Sequence, residues 1–271
     1  MNNIVKANNS CFIFGGDIHG QFEAFVHTLI NQYELKDINF VICGDFGVGF
    51  HKENYYTTIF KKLNKKLKKN NINIYAFRGN HDNPEYFSNV ELKSKVLNGV
   101  TNIHLVDDYD IIQNDNHNIL CIGGARSVDK CHRWKWDYKT QTQIPYGWWE
   151  GEMIKDIPND FTKFCEDNNI IIDVVCSHSS PDFCEPFSKN GLQFWSKYDE
   201  TVIEDCDKER ALLTSIYNKL KDNHKITHWF YGHFHNSYIL IDNDVLFRGL
   251  NMFEEFCTLD YYICEKSYIA G

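Results

Sequence analysis

The chain has 271 residues, 43% of them apolar and 15% aromatic, with only 5 Pro and 16 Gly; this excludes disordered and collagen-like classes and allows a sizeable core. Its formal charge of −9 argues against non-specific binding to a nucleic-acid backbone, so long nucleic acid is not an expected partner. No apolar run approaches the ~20 residues of a membrane helix, and the first residues lack the apolar stretch of a signal peptide. With ten cysteines and no C-x-x-C pair, the expectation is a cytoplasmic protein with free thiols and no membrane partner.

In chain order, "CFIFGG" (11 to 16) reads as a short buried strand. From 20 to 33, Phe22, Phe25, Val26, Leu29, Ile30 and Tyr33 fall at i, i+3, i+4, i+7, i+8 and i+11, which predicts an amphipathic helix. "NFVIC" (39 to 43) is a second strand. "KKLNKKLKK" (61 to 69) carries Leu63 and Leu67 behind Phe60 at helical spacing, so its lysines form a solvated helix face rather than a phosphate patch. "NIYAF" (73 to 77) is a third strand. Strand, helix, strand, helix, strand implies a parallel sheet with crossover helices.

The second half differs. "YDIIQNDNHNILCIGGA" predicts a hairpin around 114 to 116. The stretch from 124 to 160 has neither period and holds four of the six tryptophans, Trp134, Trp136, Trp148 and Trp149. It is expected to be a long irregular insertion, ordered by its aromatics. "IIIDVVCSH" (170 to 178) is a buried strand, 201 to 221 a helix, "HWFYGHFH" a strand, and "YILIDNDVLFRGL" a hairpin across 242 to 244.

Five segments share one pattern, a strand end with a small residue and metal-type ligands: "GGDIHG", "CGDFG", "RGNHD", "CSHSSPD" and "YGHFH". Each alone reads as a turn or a satisfied polar residue. Together they supply two Asp, one Asn and four His in the setting where α/β sheets collect ligands. Carboxylate, amide and imidazole donors suit Mn²⁺, iron or Zn²⁺ rather than Ca²⁺ or a thiolate site. His233 and His235 share one side of a strand, because side chains alternate with period two.

The order D-x-H, G-D, G-N-H-D, H, G-H-x-H resembles the calcineurin-like metallophosphoesterase superfamily, over residues 17 to 235. The resemblance implies an α/β fold, a β-sandwich flanked by helices, with a dinuclear metal site at the strand carboxyl ends. It makes the chain one domain, 1 to 271, since ligands come from both halves. It implies that Asp17, His19 and His235 hold one ion, that Asn80, His178 and His233 hold the other, and that Asp45 bridges them. It sets His81 beside the leaving oxygen, with Asp82 either orienting it or only closing the turn. Two divalent ions are then the cofactors, Mn²⁺ foremost, with iron or zinc as alternatives. Ions ~3.5–4 Å apart clamp phosphoryl oxygens and turn a bridging water into hydroxide that attacks phosphorus in line.

The motifs lean toward the protein serine/threonine phosphatase branch, but "GDFGVGF" departs from it. Val48 stands where that branch carries the histidine's Asp partner, and Gly49 where it carries a phosphate-binding Arg. Arg126 or Arg133 could replace that clamp, since a guanidinium fork suits phosphate oxygens; either could instead stack on an insertion tryptophan. The insertion is similar to that of an uncharacterised bacterial and phage-type group, which implies no substrate. The expected function is a metal-dependent phosphoric ester hydrolase, a phosphatase on a phosphoprotein or a small phosphorylated molecule. The alternatives are a nucleotide phosphodiesterase or nuclease, and a partner-binding scaffold that an intact ligand set argues against.

Overall fold

The structure is a computed structural model that describes residues 2–137, 140–187, 190–253 and 257–258. The chain opens with β1 (Ile4–Lys6), β2 (Cys11–Gly15), α1 (Phe22–His27), β3 (Ile38–Ile42), α2 (Glu53–Lys69) and β4 (Ile72–Ala76). Two short helices follow, α3 (Glu85–Ser88) and α4 (Val90–Val96), and then β5 (Ile103–Leu105), β6 (Ile111–Gln113) and β7 (Asn118–Ile122). The insertion carries a small hairpin, β8 (Trp134–Asp137) and β9 (Thr142–Pro145). The rest comprises α5 (Phe161–Asp167), β10 (Val174–Ser177), α6 (Asn190–Trp195), α7 (Val202–Lys221), β11 (His228–Tyr231), β12 (Tyr238–Asp242), β13 (Val245–Gly249) and β14 (Cys257–Thr258).

Two sheets form the body. One is five-stranded in the order β14-β2-β3-β4-β5, the other seven-stranded in the order β1-β6-β7-β10-β11-β13-β12. As the alternation of strands and helices predicts, β2, β3, β4 and β5 run parallel. Between the sheets lies an apolar layer that includes Phe12, Phe14, Val41, Tyr75, Phe77, Cys121, Cys176 and Phe230. Phe14 and Phe230 stack across it at 4.1 Å between centroids. The alternate residues Ile13, Phe40 and Ile74 face outward and meet Phe25, Phe60 and Leu63 of α1 and α2. On the far side, Leu120, Val175 and Trp229 pack against Phe161, Leu213 and Ile216 of α5 and α7. Period two within the strands and period 3.6 in the helices thus build three apolar layers, a β-sandwich with helices outside.

Both hairpins predicted from turn residues are present, β6–β7 and β12–β13. At the second, Asn243 and Asp244 take left-handed backbone (φ 47° and 63°), the conformation of a tight two-residue turn. Several expectations need correction. The helix expected to run to Tyr33 leaves α geometry after His27 and continues as a π-helical turn, Thr28–Gln32. The strand expected from 170 begins at Val174, and the one expected over "HWFYGHFH" ends at Tyr231, so His233 and His235 lie beyond it on left-handed backbone and not on one strand side. The insertion is not wholly irregular, because Trp134–Asp137 and Thr142–Pro145 pair. Among the described residues no helix is long and apolar enough to cross a membrane.

Candidate metal centre

All five ligand-bearing segments leave the carboxyl ends of β2, β3, β4, β10 and β11, and parallel pairing brings those ends side by side. The loops are tied to one another by their backbones. Ile18 and His19 donate to the Asp45 carbonyl (3.2 and 2.9 Å), and Gly20 donates to Phe46 O (2.9 Å). His81 N–H donates to Asp45 Oδ1 (2.7 Å), and His233 N–H donates to Asp17 Oδ1 (3.1 Å). Four of the seven candidate ligands hold left-handed backbone: His19 (φ 45°), Asp45 (49°), His233 (68°) and His235 (48°). Non-glycine residues rarely adopt it, and strain of this kind concentrates where a site is assembled. Gly232 has a simple reason, since a Cβ there would sit 2.2 Å from Asp17 Oδ1.

Asp17, His19, Asp45 and His235 present ligand atoms that all lie within 4.8 Å of one another. Nε2 of His19 and Nε2 of His235 are 3.0 Å apart, and His235 Nε2 is 2.9 Å from Asp17 Oδ2. That contact lacks hydrogen-bond geometry, so the fully buried Asp17 Oδ2 has no hydrogen-bond partner. On the other side of Asp45, His178 Nε2 lies 3.2 Å from Asp45 Oδ1 and 3.0 Å from Asn80 Oδ1. His178 Nδ1 meets the Cys43 carbonyl at 2.8 Å, which leaves Nε2 as the ligand atom. The His233 ring packs against His178 at 5.0 Å between centroids. Asp17, His19, Asp45 and His235 thus form one cluster of ligand atoms, and Asn80 and the His233 ring adjoin it through His178.

The electrostatics ask for positive charge. Burial opposes ionisation of Asp45, but His178, His81 and His19 hold it well below the usual carboxylate range. Burial likewise opposes protonation of His178, and Asp45 and Asp17 outweigh it, holding the ring up at about 10. An orphaned buried carboxylate oxygen beside two converging imidazole nitrogens is a poor arrangement for an empty core and a good one for divalent cations. The residues fit such ions. Asp17, Asp45 and His178 form the floor, while His19 and His235, 21% and 44% exposed, form an open rim.

The remaining candidates separate. His81 Nε2 lies 2.6 Å from Arg133 Nη2, so in this geometry the ring accepts and the guanidinium donates. Burial is the main cause that lowers His81, to about 4; Asp45 opposes it, and Arg133 and His19 reinforce it. Arg133 also donates to Gly147 O (3.1 Å) and pairs with Asp129 (2.7 Å).

Asp82, a candidate orienter of His81, does something else. Its buried carboxylate accepts from the backbone N–H groups of Phe46 (3.0 Å), Gly47 (2.7 Å), Val48 (2.8 Å) and Gly79 (2.8 Å). It organises the loop that follows Asp45, and Arg133 is the residue in contact with the His81 ring nitrogen. Arg126 likewise does not face the site as a phosphate clamp. It is 3% exposed and committed to Asp199 (2.5 Å), Asp205 (3.1 Å) and Ser127 O (2.7 Å), so it is not available to a phosphate. Among the described residues neither arginine stacks on a tryptophan; the cation over Trp148 is Lys130, 4.3 Å from the ring centre. Val48 packs in the apolar layer beneath α2, and at Gly49 (φ +120°) a Cβ would meet Asn83 Cβ at 2.5 Å. Neither position has room for a charged side chain.

Three residues beyond the sequence candidates matter. Arg78 heads the "RGNHD" segment and grips Asp108 together with the carbonyls of Gly151, Glu152 and Met153. Ser127 and Glu152 lie behind Asn80. Arg78 could have been noticed as an arginine at a strand end. Ser127 and Glu152 sit in a stretch without periodicity, and only the tertiary fold brings them together.

A family model described as calcineurin-like phosphoesterase matches residues 12–237. Among solved structures, the Thermus thermophilus protein TT1561 shares 8% identity, with 93% of this chain and 98% of that one covered and a TM-score of 0.52. A dimetal phosphatase from Danio rerio shares 10% identity, with 91% of each chain covered and a TM-score of 0.48. A comparison with curated proteins finds no significant match.

Proposed function

The chain belongs to the calcineurin-like phosphoesterase family, a family of metal-dependent phosphoesterases, and from that premise we propose that it is a phosphatase acting on a phosphoprotein or a small phosphorylated molecule. The observation that carries this reading is the cluster of ligand atoms of Asp17, His19, Asp45 and His235 around the buried Asp17 Oδ2, which has no hydrogen bond. Asp17, His19 and His235 would hold one divalent cation, Asn80, His178 and His233 the other, and Asp45 both. When bound, such ions withdraw charge from phosphoryl oxygens and lower the pKa of water.

The chain's own residues do the rest. The contact of His178 Nδ1 with Cys43 O fixes the ring's tautomer and orientation. Arg133 sets a guanidinium against the His81 ring, with Asp129 2.7 Å away as its counter-charge. A phosphate oxygen is a stronger acceptor for its N–H groups than a neutral imidazole, so substrate draws the guanidinium off His81 Nε2. Arg133 is in this reading the phosphate clamp that Gly49 cannot supply. His81 is then free to stand beside the leaving oxygen.

The test is a panel of phosphomonoesters, phosphopeptides, cyclic nucleotides and dinucleoside polyphosphates, each offered to Mn²⁺-loaded protein. Faster release of phosphate from monoesters than from diesters is expected. Arg133→Ala should raise KM with metal content unchanged. Selective turnover of diesters would overturn the phosphatase reading. It would favour a nucleotide phosphodiesterase, which one observation supports: Phe50, 39% exposed, lies nearly parallel to His81 at 6.3 Å, where an aromatic base could stack. Metal analysis that found no bound ion would leave only the partner-binding scaffold.

A further inference from the structure

An amide side chain has two ends of nearly equal shape and opposite chemistry. As a metal ligand, Asn80 must present Oδ1 and turn Nδ2 away. Its surroundings decide this. Oδ1 faces His178 Nε2 (3.0 Å), and Nδ2 faces Ser127 Oγ (3.0 Å). A hydroxyl has a single proton and could either give or take at that contact. Ser127 gives its proton elsewhere, to Glu152 Oε2 at 2.6 Å, while its backbone N–H donates to Glu152 Oε1 at 3.0 Å. The backbone N–H can only donate, so that oxygen is an acceptor. With its O–H donated to Oε2 of the Glu152 carboxylate, the hydroxyl can only accept from Asn80 Nδ2. Asn80, Ser127 and Glu152 are at most 3% exposed, so bulk water does not scramble the order.

The carboxylate that sets this direction is itself held. Arg126 lies 3.6 Å from Glu152 Oε1 and is pinned by Asp199 and Asp205. The Glu152 main chain is anchored by Arg78 Nη1 (2.8 Å) and Ala125 N (3.1 Å) on its carbonyl. We infer that Ser127 and Glu152 are positioning residues that fix which end of the Asn80 amide faces the metal centre. The inference rests on the reading of Asn80 as a ligand and gives the otherwise unexplained buried pair Arg126–Glu152 a purpose.

The experiment is Mn²⁺ titration of the whole chain, followed by calorimetry and by the paramagnetic resonance of free Mn²⁺, for a set of single and double variants. Asn80→Ala should weaken one of two sites; if both sites keep their affinity, the reading of Asn80 as a ligand fails, and the inference fails with it. Given that loss, Ser127→Ala and Glu152→Gln should weaken the same site by about 10–100-fold and spare the other. Ser127→Thr, which keeps the hydroxyl, should restore it. A carboxylate shows oxygen at either end, so in an Asn80→Asp background Ser127→Ala should no longer matter. Unchanged affinity in Ser127→Ala and Glu152→Gln would overturn the inference. So would an equal loss in the Asn80→Asp background, which would mark a general structural role. If Ser127→Ala does not fold, Glu152→Gln, of the same shape, carries both comparisons.

Discussion

At the amino-terminal end of the five-stranded sheet, Asn9, Asn39, Asn73 and Asn102 form a buried row of amides; at the carboxyl end, Asp17, Asp45 and Asn80 face the histidines. In the row, every side-chain amide nitrogen donates within the protein. Asn39 Nδ2 donates to Asn9 O (2.6 Å), Asn9 Nδ2 to Ile38 O (2.9 Å) and Asn71 O (2.8 Å), and Asn102 Nδ2 to Asn73 Oδ1 (3.0 Å) and Ile72 O (3.1 Å). At the other end a carboxylate oxygen has no hydrogen bond, and four ligands hold unfavourable backbone. Neutral amides that satisfy one another stabilise the fold. A buried carboxylate oxygen without a hydrogen bond and left-handed backbone at non-glycine residues cost stability until a cation arrives. The sheet is thus stable at one end and reactive at the other.

The largest effect that probes this contrast is on turnover. Asp45→Asn removes the charge shared by both ligand sets, and kcat/KM should fall by more than the ~10²–10³-fold lost with one electrostatic contact. The metal-free variant should also unfold at a lower temperature than the metal-free parent, because the ionised carboxylate is the partner of the buried His178 imidazolium. An unchanged midpoint would show that this pair contributes nothing to the apo fold. Next comes metal itself. Chelation should lower the midpoint of unfolding, and free Mn²⁺ at ~100 times Kd should return about 2.7 kcal/mol, as binding to the native state alone requires. An unfolding curve indifferent to Mn²⁺ would break the comparison.

Asn73→Ala acts at the opposite end. It removes the acceptor for Asn102 Nδ2 and a donor to Asn39 Oδ1. Chemical denaturation should show a loss of about 1–3 kcal/mol, with kcat of the folded fraction unchanged. The smallest effect concerns pH. The buried Glu209 is pushed up to about 7, chiefly by burial, with only partial relief from Ser179 and the Arg126 backbone. A raised acid lends stability that is complete below its ordinary value near 4.5 and is lost as pH climbs through about 7. Glu209→Gln should therefore raise Tm at pH 8 by about 2–4 °C, the shift from ~1 kcal/mol in a chain of this size, and change little at pH 4.5. An equal gain at both values would mean packing rather than charge.

Much of the carboxyl end is legible in the sequence, because each of the five polar segments follows an apolar run that marks its strand. The amino-terminal row is not. Asn39 and Asn73 open the segments read as strands and pass for their polar borders, yet they pair in register one strand apart. Nothing local marks them as buried. The helices α2 and α7 are legible from period, since each lays one apolar face on a sheet. The insertion is opaque because its order comes from long-range contacts: Arg126 to Asp199 and Asp205, Glu152 to Ser127, Arg133 to His81. Asp82 shows a different limit. The motif announces a polar residue beside the site, but only the fold reveals that its partners are four main-chain N–H groups.

Arg78 gathers both ends of the insertion. Gly124 N–H meets its carbonyl (2.9 Å), its guanidinium holds the carbonyls of 151 to 153, and Ala125 N–H closes onto Glu152 O (3.1 Å). Residues 126 to 150 are therefore a loop whose mouth is already shut. The entropy of closing a loop grows only slowly with its length, by about 0.6 kcal/mol per doubling. The tip that carries the β8–β9 hairpin can be lengthened, trimmed or exchanged at little expense to the fold, provided Ser127, Arg133 and Glu152 keep their stations. The insertion is a head on a socket that Arg78 closes. New substrates could be tried there without rebuilding the metal centre beneath it.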